Sequence, residues 1–178
     1  MHKLNDSWTL YLHLPNDIDW SITSYKKLYT FSVLEDCIKL IENIDKLIVE
    51  KCMLFIMKNN IKPIWEDTNN SSGGCFSYKI NVDNVYSIWK TLTYSLIGNN
   101  LTNNLELLKN INGISISPKK NFCIIKFWLK DIESIKNTEI YNFITNNKYE
   151  YYDPFNIDKL CNIDKHACIF KLHNILYK

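Results

Sequence analysis

The chain has 178 residues, enough for one domain with a sizeable core, and its 46% hydrophobic and 22% charged residues are ordinary for a globular protein. A formal net charge of +2 excludes a general electrostatic hold on RNA or membrane, so any polyanion contact must come from a local lysine cluster. All 21 basic residues are Lys, and Asn and Ile are heavily used, a bias that fits an AT-rich genome such as that of a parasite or a large DNA virus.

The six cysteines (Cys37, Cys52, Cys75, Cys123, Cys161 and Cys168) form no CxxC pair. The start carries no apolar leader, and no run is long enough to span a bilayer. Reduced thiols in the cytoplasm are expected, with no membrane contact. Sequons at Asn5, Asn70 and Asn100 are read as chance.

Trp8–Leu14 alternates as a strand, with Trp8, Leu10, Leu12 and Leu14 on one face. A loop from Pro15 to Asp19 leads to Trp20, and Lys27–Phe31 is a short second strand. Ser32-x-x-Glu35 has the pattern of a capping box opening a helix to about Ile44. Met53–Lys58 is a strand ending at an Asn59-Asn60 turn. Ile61-Lys-Pro-Ile reads as a strand delivering Trp65 to a mobile loop, away from mid-sheet because Pro63 has no amide to donate. Cys75–Val82 is another strand, and Asp83 caps a helix to Ile97, stopped by Gly98 and Asn99-Asn100. Ile111–Ser117 and Phe122–Leu129 form a hairpin. A helix over Asp131–Asn146 and strands at Tyr149–Tyr152 and Cys168–Tyr177 complete the chain. No linker divides residues 1–178, so a single domain is expected: α+β, an antiparallel sheet with helices on one face.

Trp20 and Trp65, the latter followed by Glu66, supply two aromatic plates and a carboxylate, the groups needed to grip a positively charged guanine. Trp8 and Trp89, by contrast, read as core. Cys161, His166, Cys168 and His173 lack a standard zinc spacing, and no metal or cofactor is expected. Neither a catalytic triad order, HExxH, a P-loop nor a dinucleotide fingerprint is present, so no enzymatic activity is expected.

In order, Trp8-x-Leu-Tyr11, Trp20, Leu34-Glu35-Asp36, Ile61-x-Pro-Ile-Trp65-Glu66-Asp67, Gly73-Gly74, Trp89, Leu96-Ile97-Gly98 and Trp128 resemble the eukaryotic translation initiation factor 4E family. Its members bind the 7-methylguanosine cap of messenger RNA. The match runs from about His2 to Trp128; beyond that it is architectural. The resemblance implies a curved antiparallel sheet of about eight strands, the cap in its concave face and three helices on the convex back. It implies that Trp20 and Trp65 sandwich the base, that Glu66 accepts the guanine N1 and N2 protons, and that Trp128 touches the N7-methyl group. Stacking is worth roughly 1–3 kcal/mol per base, with about 0.5–2 more from the cation.

Departures fall on the phosphate side and the convex back. Lys119 matches a usual Arg, Ile124 a usual Lys, and Cys75 an Arg found in many members. Lys126 lies two positions along on the same strand face as Ile124, so Lys119, Lys120 and Lys126 are the phosphate candidates, unless the turn lysines are merely solvated. On the back, His2 and Leu4 match the family's entry segment, and Ile38 stands where the scaffold-anchoring tryptophan is usual. Lys90, Thr91 and Tyr94 replace a leucine, an acid and a leucine. Leu34, Ile38, Tyr94 and Gly98 form a patch that suits an amphipathic peptide helix. The family's flexible N-terminal tail is expected to be absent.

The resemblance therefore implies a cytoplasmic monomer that joins capped messenger RNA to a scaffold of the 4G type or a dedicated equivalent. A cap-binding competitor that recruits no scaffold is the alternative suggested by Ile38 and Lys90. An interaction module with a vestigial pocket is the alternative suggested by Cys75 and Ile124.

Overall fold

A computed structural model describes residues 1–131, except the side chains of Phe76 and Tyr78. The expected helix over 131–146 and the two expected closing strands lie outside the described residues, as do Cys161, His166, Cys168 and His173.

Six strands form one open antiparallel sheet among the described residues: β1 (Lys3–His13), β2 (Lys26–Val33), β3 (Met53–Lys58), β4 (Gly74–Asn81), β5 (Ile111–Pro118) and β6 (Phe122–Leu129), in the order β2-β1-β3-β5-β6-β4. Between β1 and β2 the register shifts twice, at Lys3/Trp8 and at Leu10/Tyr11, and such irregularities bend and twist a sheet. The α-helices are α1 (Leu34–Glu42), α2 (Lys46–Lys51), α3 (Val82–Ile97) and α4 (Leu105–Asn110).

Strand alternation sorts the side chains. Trp8 and Leu10 of β1, Leu54 and Ile56 of β3, Ile114 and Ile116 of β5, and Ile125 and Phe127 of β6 join one core. Cys37 and Ile41 of α1, Val49 of α2, Val85 and Trp89 of α3, and Leu107 and Leu108 of α4 fill the same core, so the helices cover that face. Their alternates Tyr11, Phe55, Met57 and Trp128 make a second, smaller cluster on the opposite face, with Ile61 and partly buried Tyr25, Met53 and Trp65. Trp8 and Trp89 are core, as expected.

Several local expectations are corrected. Helix α1 starts at Leu34 behind Val33, with no side-chain cap, because Ser32 belongs to β2 and the Glu35 carboxylate is taken by His2. Asn81, and not Asp83, caps α3 by accepting the Asp83 amide. The short α2 and α4 were not expected; Asp45 and Asn104 cap them. At the end of α3, Asn99 takes the left-handed conformation (φ 54°), not Gly98.

Residues 59–73 contain no strand; they are turns closed by side chains. Asn59 and Asn60 both have positive φ, which asparagine tolerates. The Asp67 carboxylate accepts the Lys62 and Asn69 amides at 3.0 and 2.9 Å. Asn70, fully buried, donates to the Lys62 and Ile64 carbonyls and accepts from Asn112 of β5 at 3.0 Å. This polar clamp ties the loop carrying Trp65 to the sheet. Gly73 completes it: a methyl there would overlap the Leu129 carbonyl oxygen of β6. Gly73→Ala should lower the thermal unfolding midpoint, at a cost of about 1–3 kcal/mol. A midpoint unchanged in calorimetry would contradict this packing.

Candidate functional site

On the face away from the helices lies an open cavity of about 300 Å³. Its walls carry Trp20, Trp65, Glu66, Trp128 and Lys126, five of the seven residues expected on the cap side. Lys119 and Lys120 are exposed in the β5–β6 turn, where the Lys119 amide bonds the Phe122 carbonyl at 2.7 Å, and are not wall residues.

Each aromatic plate lies against a second ring. Trp20, 56% exposed, stacks on the His13 ring with centroids 4.4 Å apart and planes 10° apart. Trp65, half-buried, rests on Trp128 at 4.4 Å with a 30° tilt. Trp128 is buried, and its indole N–H donates to Ser115 Oγ at 3.0 Å, which fixes its ring plane. Tyr25, Met53, Phe55, Ser115 and Ser117 also line the cavity. Ser115 and Lys126 are cross-strand partners on β5 and β6, so their side chains share this face.

The loop before Trp20 is built on one carboxylate. Asp19 accepts the Ser21 amide and hydroxyl, each at 2.8 Å, and the Thr23 hydroxyl at 3.2 Å. The Ser21 bonds hold its carboxyl below the usual range. Tyr25 is pushed up to about 12 by burial and then by the negative charges of Glu66 and Asp19. The phenol thus senses two carboxylates, one of which, Glu66, lines the cavity with Trp20, and such negative charge suits a cation. Asp67, beside Glu66, is pushed up by burial, but the Lys62 and Asn69 amides outweigh this and leave it lowered.

Sequence reasoning missed Tyr25, Phe55, Met53, Ser115 and Ser117. Only the alternation in Ile114-Ser-Ile-Ser117 hinted that those serines face away from the core.

On the helical back, His2 donates its amide to Glu35, and its Nδ1 lies 2.8 Å from the same carboxylate. Leu4 packs against the core. Ile38 is exposed, Leu34 and Tyr94 are half-buried, and Gly98 is exposed at the end of α3. Lys90 is not a free charge: it pairs with Glu42 of α1, whose other oxygen accepts the Tyr94 hydroxyl at 2.7 Å. These two partners lower the Glu42 carboxyl, and the Glu42 bond raises the Lys90 ammonium. Among the described residues, no three potential metal ligands cluster.

Fold and cavity together define an open α+β sheet domain with helices on one side and an aromatic, acid-edged cleft on the other. A family model for eukaryotic initiation factor 4E matches residues 3–159, and the chain belongs to that family. A eukaryotic translation initiation factor 4E homolog of Acanthamoeba polyphaga mimivirus is 31% identical over 136 residues, covering 65% of this chain and 50% of that protein. The Eremothecium gossypii factor 4E is 27% identical over 141 residues, covering 74% of this chain and 64% of that one. The chain thus spans about half the length of the viral relative and under two thirds of the fungal one. Among solved structures, a Schistosome eIF4E complexed with m7GpppG and 4E-BP superposes with TM-score 0.70 at 27% identity, over 84% of this chain and 81% of that one. Caenorhabditis elegans eIF4E-3 with the 4E-binding protein Mextli and cap analog gives TM-score 0.71, over 85% and 87%, and at 22% identity is a likeness of fold.

The bonds to Glu35 hold its carboxyl down at about 2, first through its own amide and then through His2. A carboxylate lowered on folding contributes stability above its ordinary value, and that contribution is lost as pH falls from about 4.5 toward 2. Protection factors against amide exchange at the start of β1, taken relative to the intrinsic rate at each pH, should therefore fall over that window, and Glu35→Gln should remove the step.

Proposed function

We propose that this protein binds the 7-methylguanosine cap of messenger RNA and serves translation initiation in the cytoplasm through a scaffold partner. The observation that carries this reading is the convergence of Trp20, Trp65 and Glu66 on one cavity from two separate loops. Methylation at N7 gives guanine a delocalised positive charge, so the base gains both stacking and cation–π attraction between the indoles. Glu66 accepts the N1 and N2 protons that guanine presents and adenine lacks. Trp128 meets the N7-methyl group, and Lys126 meets the first phosphates, with Lys119 and Lys120 further along the hairpin. The cap complex of the Schistosome relative supports the same ligand class.

The protein should be retained on immobilised 7-methylguanosine and released by free cap analogue but not by GTP; equal release by both would end this reading. Trp20→Ala and Trp65→Ala should each weaken binding by about 30-fold, the loss of one stacking partner at about 2 kcal/mol. Glu66→Gln should chiefly lose selection for guanine. With few lysines near the triphosphate, the salt dependence should be shallow, and Lys126→Ala should reduce its slope by about one.

A second reading, a cap-binding competitor that recruits no ordinary scaffold, is favoured by the Lys90–Glu42–Tyr94 network beside Ile38. A scaffold helix docking there meets a smaller anchor and a salt bridge where apolar contacts would be stronger. If a 4G-type peptide binds this face as tightly as it binds ordinary family members, the competitor reading loses. A vestigial pocket is the weaker alternative, because Lys126 supplies an ammonium on the cavity wall despite Cys75 and Ile124.

A further inference from the structure

His13 has no place in the functions derived above, yet it is in direct contact with one of the plates. It is 1% exposed and lies flat against Trp20, 4.4 Å between centroids. Trp20 lines the cavity and His13 does not, so the imidazole stands behind the indole, on the face turned from the ligand space. Its Nε2 lies 2.9 Å from the Asp19 carbonyl oxygen. A carbonyl only accepts, so Nε2 carries the proton and Nδ1 holds a lone pair in the neutral ring. That Nδ1 is buried and has no hydrogen-bond partner.

We propose that His13 is a positioning residue for cap recognition: neutral, it backs Trp20, and protonated, it weakens the hold on the cationic base. The inference rests on the cap-binding reading above. Two physical effects set the sign. A proton added at Nδ1 would be a buried donor without an acceptor, disturbing the stack that orients Trp20. The charged ring would also draw on the indole quadrupole from one face while the methylated base draws on it from the other. Those two cations would sit roughly 8 Å apart, enough for a penalty of about five-fold in affinity at an effective dielectric between protein and water.

The groups facing His13 do not supply the same effect. Asp19 is held ionised by its Ser21 bonds, and Tyr25, tilted against the imidazole at 5.0 Å, is held neutral by burial. From β3 the register partner is Met53, which does not titrate. Asp17 of the loop, exposed Lys26 and Lys27 of β2, and Glu66 across the cavity are common to wild type and His13 variants. The ligand's own titrations are common too, so all of them cancel in a ratio of affinities.

The experiment measures affinity for 7-methylguanosine triphosphate by tryptophan quenching from about pH 8 to 5.5, in wild type, His13→Phe and His13→Gln. Phenylalanine keeps a stacked ring without a charge. Glutamine keeps a donor for the Asp19 carbonyl and stands in if the phenylalanine variant fails to fold. Wild type should lose affinity relative to either neutral variant as pH falls, approaching roughly five-fold as the imidazole becomes fully charged. By linkage, ligand binding should lower the midpoint of the His13 imidazole titration, followed by nuclear magnetic resonance, by the same factor. Parallel pH profiles in wild type and variants, or a midpoint unmoved by ligand, would overturn the role of His13 while leaving cap binding intact. Absence of cap binding by wild type at pH 8 would overturn both.

Discussion

Successive side chains of a strand point to opposite faces, and in β3, β5 and β6 this makes one sheet serve two chemistries at once. Ile114, Ile116, Ile125 and Phe127 face the helices, while Ser115, Ser117, Lys126 and Trp128 face the other way. A slip of one residue would send Trp128 and Lys126 into the helical core and the isoleucines into the cavity. Burial of each large aliphatic side chain, worth roughly 1.5–3 kcal/mol, therefore locks the register that presents the polar face. The hydrophobic core and the candidate site are two sides of one constraint.

The sheet supplies Trp128, Lys126 and the serines, but Trp20 and Trp65 arrive on loops that have no ladder to hold them. Short polar side chains do that work. Asp19 gathers Ser21 and Thr23 beside Trp20, and Asp67, Asn70 and Asn112 close the turns around Trp65. Each indole then leans on a second ring, His13 or Trp128. Ordering plates in advance leaves less conformational entropy to be lost when a flat ligand enters, which favours affinity from a small contact area. The charge is local as well: in a chain of net charge +2, Glu66 and Asp19 act on Tyr25, and Glu66 and Lys126 both line the cavity. That pair of charges suits a ligand whose base is cationic and whose tail is anionic.

The helical back obeys a different economy. Glu42 satisfies Lys90 and Tyr94 together, so the surface between α1 and α3 is knitted by polar contacts near the exposed Ile38. Any helix that docks there has to displace or accommodate this network, which separates the surface from one built of leucines and a tryptophan.

Much of this was legible in the one-dimensional pattern. Period-two alternation marks β1 and β4, and β3 and the β5–β6 hairpin are expected where they lie. Trp20, Trp65, Glu66, Trp128 and Lys126 are all cap-side candidates in the sequence that meet at one cavity. Local rules failed where tertiary partners outbid them: Glu35 turned from its expected cap to His2, and Pro63-Ile64 went into turns because Asn70 and Asp67 supply bonds that no strand neighbour could. By itself, then, the order of residues determined which side chains exist on which strand face, since alternation is a property of the backbone. Only the folded chain decided that Tyr25, Phe55 and the serines would line the cleft and that His13 would stack on Trp20. Those contacts join residues distant in sequence, or set by a loop's path, and no local periodicity encodes them.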